Sequence, residues 1–286
     1  MKLLVFGRTG QVARELARRC PAGVELRQLG RAEADLSDPA ACAARIAAAP
    51  VDAVINVAAW TAVDRAEEEE EAATAINALA PGAMATACAE RAIPFLHLST
   101  DYVFDGSGTE PFHPQDPTRP INAYGRSKLA GENAIRAAGG QHLILRTSWV
   151  VSVHGHNFVK TMLRLGRERE AVTVVADQVG GLTPAAALAD ALIHCARALC
   201  EGMPGGTFHL TGTPDASWAE IAREVMTVAG LECSVREIAT EDYPTPAPRP
   251  LNSRLDCRSF EEAFGIARPQ WRSALREIVK ELEANR

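Results

Sequence analysis

The sequence predicts an α/β protein, a Rossmann-type doubly wound parallel sheet with a smaller α/β substrate-binding lobe, and three observations carry that prediction. Short apolar runs at 2–6, 24–29, 52–57, 95–99, 142–145 and 207–210 alternate with helical stretches, the pattern of right-handed βαβ units. The first run passes at once into Gly7-Arg8-Thr9-Gly10-Gln11-Val12-Ala13, a glycine turn between strand and helix. After Gly155 the alternation changes, which marks a second lobe. The expected division is 1–150 plus 185–215 for the dinucleotide-binding domain and 151–184 plus 216–286 for the substrate lobe.

Taken in order, the strand 2–6 delivers the chain to Gly7, which permits a tight turn. Gly10 lets backbone N–H groups approach a pyrophosphate, and small Ala13 lets the helix pack closely on the sheet. The spacing is G-x-x-G-x-x-A, and Arg8, Thr9, Gln11 and Val12 complete the expected cofactor turn. The second strand ends in Gly30-Arg31, about 20 residues past the turn, where an acid would accept from a ribose hydroxyl and an arginine would accommodate a 2′-phosphate. NADPH is therefore predicted over NADH, with Arg31 and Arg8 on the phosphate and Asp35 and Leu36 near adenine. Ser37-Asp38-Pro39 reads as a helix cap with proline in the first turn.

Asn56-Val57-Ala58-Ala59 follows the third strand, and its two alanines can pass close to a ribose or nicotinamide, with Thr61 adding a hydroxyl. Glu67 to Glu71 is the only charge run and reads as a solvated face near a helix start. The fourth strand ends in Ser99-Thr100-Asp101-Tyr102, which sets the Thr100 hydroxyl at the carboxyl end of the sheet, where ligands bind; Ser99 is the alternative donor. Tyr124-Gly125-Arg126-Ser127-Lys128 then puts a phenol and an amine one helical turn apart. A lysine ammonium ~4 Å from a phenol favours the phenolate by about 4 kcal/mol at an effective dielectric of ~20, roughly a thousandfold in acidity. Carbonyl reduction needs such a donor, because hydride arriving on carbon leaves an alkoxide to be protonated.

Beyond 155, a helix over 158–170, a strand at Ala171–Val175 and the loop 177–184 open the second lobe. The helix 188–199 and strand 207–210 return to the sheet, and the proline-dense stretch 243–250 suits neither helix nor central strand. The net charge of −6 argues against general affinity for nucleic acid or anionic membranes. The opening apolar run is too short for a signal peptide or a membrane span, so a cytoplasmic protein is expected. Seven cysteines without a C-x-x-C pair fit reduced thiols, and His154-Gly155-His156 lacks a third ligand, so no metal is read there. Neither G-x-S-x-G nor a Walker loop occurs, which removes the usual supports for acyl transfer and ATP hydrolysis.

In combination, Gly7 to Val12, Ala58-Ala59-Trp60-Thr61-Ala62-Val63-Asp64, Ser99 to Phe104, Tyr124 to Glu132, Arg146-Thr147-Ser148-Trp149, Asn157-Phe158, Asp177-Gln178 and Arg249 to Ser253 resemble the dTDP-4-dehydrorhamnose reductases of the extended short-chain dehydrogenase/reductase superfamily. The resemblance implies NADPH-dependent reduction of the 4-keto group of dTDP-4-dehydro-L-rhamnose. Tyr124 is then the general acid, Lys128 its partner and ribose anchor, and Thr100 the carbonyl-polarising hydroxyl. Asp101, Tyr102, Trp149 and Asn157 are implied sugar contacts, and Arg249 and Asn252 candidates for the thymidine pocket. The pattern departs from the family at Val179 to Thr183, at Ala13 and at Trp60. Some relatives form homodimers through magnesium held by acidic residues, including a first-helix glutamate that Glu15 would match, while the shorter Asp190 lies where another glutamate would be expected. The competing readings are a reductase of another 4-keto nucleotide sugar and a non-catalytic NADP-binding regulatory subunit; the full set Thr100, Tyr124 and Lys128 favours an enzyme.

Overall fold

The computed structural model describes residues 1–284. Its first half runs β1 (Lys2–Phe6), α1 (Gln11–Arg18), β2 (Glu25–Leu29), α2 (Pro39–Ala48), β3 (Ala53–Asn56), α3 (Val63–Glu68), α4 (Glu70–Thr74), a π-helical stretch Ala75–Leu79, α5 (Ala80–Glu90), β4 (Phe95–Thr100), α6 (Ala123–Ala137) and β5 (His142–Thr147). The remainder runs β6 (Val150–Val151), α7 (Phe158–Glu168), β7 (Ala171–Val175), β8 (Val179–Gly180), β9 (Thr183–Pro184), α8 (Ala185–Cys200), β10 (Gly206–His209), β11 (Ala216–Ser217), α9 (Trp218–Val228), β12 (Ser234–Ile238), β13 (Asn252–Ser253), α10 (Arg258–Phe264) and α11 (Trp271–Ala284).

Six strands form one parallel sheet in the order β10-β5-β4-β3-β1-β2. The order reverses between β1 and β3, and at such a switch point the loops diverge and leave a crevice beyond the carboxyl ends. Alternation along β1 explains the two covered faces. Leu3 and Val5 pack with Val12 and Leu16 of α1 and with α8, whereas Leu4 and Phe6 pack with residues of α2 and α5. Each such side chain is fully buried, which stabilises the fold by about 1.5–3 kcal/mol apiece.

A separate core gathers Val159, Met162 and Leu163 of α7, Val172 and Val174 of β7, Ile221 and Val225 of α9, and Trp271 and Leu275 of α11. Within it β12 pairs in parallel with β7. Ser217 and Glu220 make a reciprocal capping box that starts α9. One segment departs from the expected division. Phe260 and Phe264 of α10 pack on Phe208 of β10, so α10 lies on the main sheet although its sequence falls within 216–286.

The helix Glu70–Glu90 has the length and hydropathy to cross a membrane, which sequence reading passed over. Half of its apolar window is buried, against α2 and α6, and its π-helical stretch turns Asn77 toward α6. The Asn77 amide donates to Trp60 O and Ser127 Oγ and accepts from Trp60 N, which holds the loop after β3. A Cβ on Gly131 would stand 2.0 Å from Asn77 O, so that approach requires glycine.

Candidate active site

Three loops converge beyond the carboxyl ends of β1, β3 and β4. In the first, Gly7 has φ +122, which an L side chain rarely adopts, and a Cβ there would meet Val57 Cγ2 at 3.0 Å. Gly10 opens α1 without a side-chain cap, and a Cβ there would meet no atom within 4 Å. Packing therefore does not explain glycine at position 10. An uncapped helix start reached across an open glycine suits a pyrophosphate, which supplies the acceptors that the first-turn N–H groups lack.

The cofactor residues beyond the glycines divide. Arg8 and Thr9 are exposed at the turn, but Arg8 donates to Glu33 Oε1 at 2.6 Å, and Glu33 also accepts from Gly30 N. Arg31 pairs with Asp35 at 3.2 Å. Both arginines thus carry a carboxylate partner at the ends of β1 and β2. The Val12 and Leu36 side chains belong to the core, so each offers only backbone to a ligand. The Gln11 side chain is also engaged. Its amide donates to Val150 O and its oxygen accepts from Ser152 Oγ and Asn157 Nδ2, so the side chain ties the turn to the second lobe. Ala58 and Ala59 are half-buried and Thr61 is exposed.

At the end of β4, Thr100 Oγ1 donates to Asp101 Oδ1 at 2.9 Å and accepts from Tyr102 N at 3.2 Å. The Tyr124 phenol lies beside Thr100, and the Tyr102 and Tyr124 rings meet edge to face at 5.5 Å. The start of α6 is heavily anchored. Asn122 Oδ1 accepts from Gly125 N, Glu67 Oε1 accepts from Ala123 N, and Arg126 forks onto Glu70. Two members of the supposed solvated charge run thus hold the helix that carries the phenol. Gly125 is required because a Cβ there would stand 2.2 Å from Tyr102 O.

The electrostatics reverse one expectation. Burial pushes the Tyr124 phenol up, Thr100 opposes this, and the Asp101 charge adds to it. Lys128 Nζ is bonded to His97 Nε2 at 3.0 Å and Leu98 O at 2.7 Å. Burial also pushes the lysine down to about 8, against the charge of Glu132. Asp101 is pushed up to about 6 by burial, which outweighs the opposing influence of Ser253 and Thr100, and its Oδ2 is buried without a hydrogen-bond partner.

The RmlD substrate binding domain family model matches residues 1–284. A dTDP-4-dehydrorhamnose reductase of Sinorhizobium fredii is 44% identical over 286 residues, covering 98% of this chain and 97% of that protein. The chain belongs to the dTDP-4-dehydrorhamnose reductase family. Among solved structures, a reductase of this name from Clostridium acetobutylicum superposes with a TM-score of 0.93 at 35% identity, covering 99% of this chain and 100% of that one. Another from Bacillus anthracis, solved in complex with NADP, gives 0.92 at 31% identity, covering 98% and 99%.

Within the dTDP-4-dehydrorhamnose reductase frame, several implied ligand contacts are structural in this chain. Asn157 caps α7 through Lys160 N and spends its amide on Gln11 and Ser152. Asn252, 2% exposed, donates to Ser107 O and Glu110 O and accepts from Arg254. Both amides are thus engaged within the protein. Arg249 is held by Asp64 Oδ2 at 2.7 Å, which leaves it only partly available. Trp149 is half-buried, with φ +49 and its ring stacked 3.8 Å from Trp218. A bulky residue in that backbone region is strained and needs a reason, and presenting an indole face is one. Magnesium finds no support. Glu15 meets His154 and Arg18, Asp190 is forked by Arg19, and among the described residues no three potential ligands cluster.

Sequence reading missed Asn56, His97, Asn77, Glu33 and the buried Glu132–Arg146 pair. His97 carried a signal: a histidine inside Phe-Leu-His-Leu, on a strand covered on both faces, must find polar partners.

Proposed function

We propose that this chain reduces the 4-keto group of dTDP-4-dehydro-L-rhamnose with NADPH to give dTDP-L-rhamnose. The observation that carries the reading is the juxtaposition of Tyr124 and Thr100 at the sheet end beside an uncapped glycine turn, in a chain 44% identical to a named reductase. When bound, the nicotinamide supplies hydride to the carbonyl carbon. Tyr124 donates its proton to the carbonyl oxygen as the charge develops, and its raised pKa keeps that proton in place at neutral pH. Thr100 gives its hydrogen to the same oxygen, leaving Asp101, and so adds a second donor to the developing alkoxide. Lys128 supports the cofactor ribose, Arg8 and Arg31 the 2′-phosphate, and Tyr102 and Trp149 wall the sugar. Seven free cysteines suit the reducing cytoplasm in which such a donor sugar is made.

Loss of NADPH absorbance on addition of dTDP-4-dehydrorhamnose tests the reading directly. Tyr124→Phe is expected to lower kcat by about 10²–10⁴. Equal rates in both proteins would remove Tyr124 from the chemistry, and turnover only of a different 4-keto nucleotide sugar would replace the substrate. For the cofactor, Arg31→Ala is expected to raise the KM for NADPH and leave that for NADH unchanged.

A further inference from the structure

Asn56 and His97, both 0% exposed, lie opposite each other in the β3–β4 register. Ala58 N–H donates to Asn56 Oδ1 at 3.1 Å, which orients the amide and leaves Asn56 Nδ2 facing His97 Nδ1 at 3.1 Å. An amide nitrogen only donates, so Nδ1 accepts and the proton of a neutral imidazole sits on Nε2. That Nε2–H points at Lys128 Nζ, 3.0 Å away, and requires a lone pair there. A neutral amine has one and an ammonium has none, while the amine's own hydrogens still serve Leu98 O.

We propose that His97, its tautomer set by Asn56, is a positioning residue that favours the neutral amine of Lys128 over its ammonium in the cofactor-free protein. This deepens the reductase reading at Lys128. Of the groups around the lysine, His97 faces it from β4, Tyr124 precedes it by one turn, and Glu132, one turn on, favours the ammonium but is paired with Arg146 and Arg136. Burial alone, the larger cause, holds His97 well below the ordinary histidine range, so the ring is neutral. Charging Lys128 with a proton from solvent moves the imidazole proton to Nδ1, against a donor, unless Asn56 turns and Ala58 N–H loses its acceptor. The chain therefore ends at the cofactor turn, where a Cβ on Gly7 would lie 3.4 Å from Ala58 N.

The readout needs no turnover, so its failure is separate from failure of the reductase assay. Only Lys2, Lys128, Lys160 and Lys280 are present, which makes lysine NMR tractable on the full-length, cofactor-free protein. Lys128 is expected to titrate about two pH units or more below the other three, with His97 ¹⁵N shifts reporting the Nε2–H form. Asn56→Asp gives Nδ1–H an acceptor; it is expected to move the proton to Nδ1 and raise the Lys128 titration by about one pH unit or more. An Nδ1–H tautomer in the wild type, a Lys128 titrating with the other lysines, or a raised titration in Asn56→Asp without the tautomer change would overturn the proposal. Should that variant not fold, the wild-type tautomer and titration decide alone.

Discussion

At Asp101, burial wins over hydrogen bonding, and the sign of that contest makes a prediction. Its pKa of about 6 in the fold lies above the ordinary 3.8, so between those values the folded protein binds more protons than the unfolded chain. Stability contributed by this group therefore falls as pH rises through the window, and its cost is fully present above about 6. Asp101→Asn keeps an acceptor for Thr100 and removes the buried charge. It is expected to stabilise the protein at pH 7 by on the order of 2–3 kcal/mol, with the gain vanishing near pH 4. Urea unfolding at both values checks this; an equal gain at both would show that charge is not the cause. Activity of the same variant is expected to fall, because Asp101 holds the Thr100 hydroxyl proposed to face the carbonyl.

Helix α6 shows why an element can be legible in sequence while its anchoring is not. Tyr124-Gly125-Arg126-Ser127-Lys128 announces its phenol and amine through spacing alone, because one helical turn is a local property. The reason for the intervening glycine is tertiary, the approach of Tyr102 O within 2.2 Å of a would-be Cβ. Gly125→Ala is expected to cost at least about 2 kcal/mol and to displace Tyr124, lowering both the melting temperature and kcat. Glu67→Ala removes the acceptor of Ala123 N–H and should cost about 1 kcal/mol, roughly 2 °C in Tm. An unchanged Tm would return Glu67 to the solvated face that its charge run suggests.

Over the whole molecule, the sheet and the second core are joined at few, specific places. Gln11 reaches Val150, Ser152 and Asn157, and these contacts tie the cofactor turn to the lobe that carries Trp149's partner, Trp218. Behind the site, Arg146 forks onto Glu132 at 2.6 and 2.8 Å with both side chains buried. Burial penalises the Glu132 charge, yet the bonds from Arg146 and Ser99 and the charge of Arg136 keep its carboxyl below the usual range. Arg146→Met strands that carboxylate and is expected to cost about 3–5 kcal/mol, whereas pairing it with Glu132→Gln should recover much of the loss. Denaturant midpoints of the three variants measure the coupling.

The sequence by itself determined what repeats or acts locally: the six strands of the sheet, the glycine turn, the capped helices, and the Tyr124 to Lys128 spacing. Hydrophobic periodicity and turn chemistry are short-range signals, so they survive without coordinates. Only the tertiary structure decided which polar groups were already taken. It assigned Asn157 and Asn252 to backbone contacts, returned α10 to the main sheet, and bonded Lys128 to His97. The physical reason is that a side chain's availability depends on every donor and acceptor within about 3 Å, and those neighbours come from strands and loops far apart along the chain.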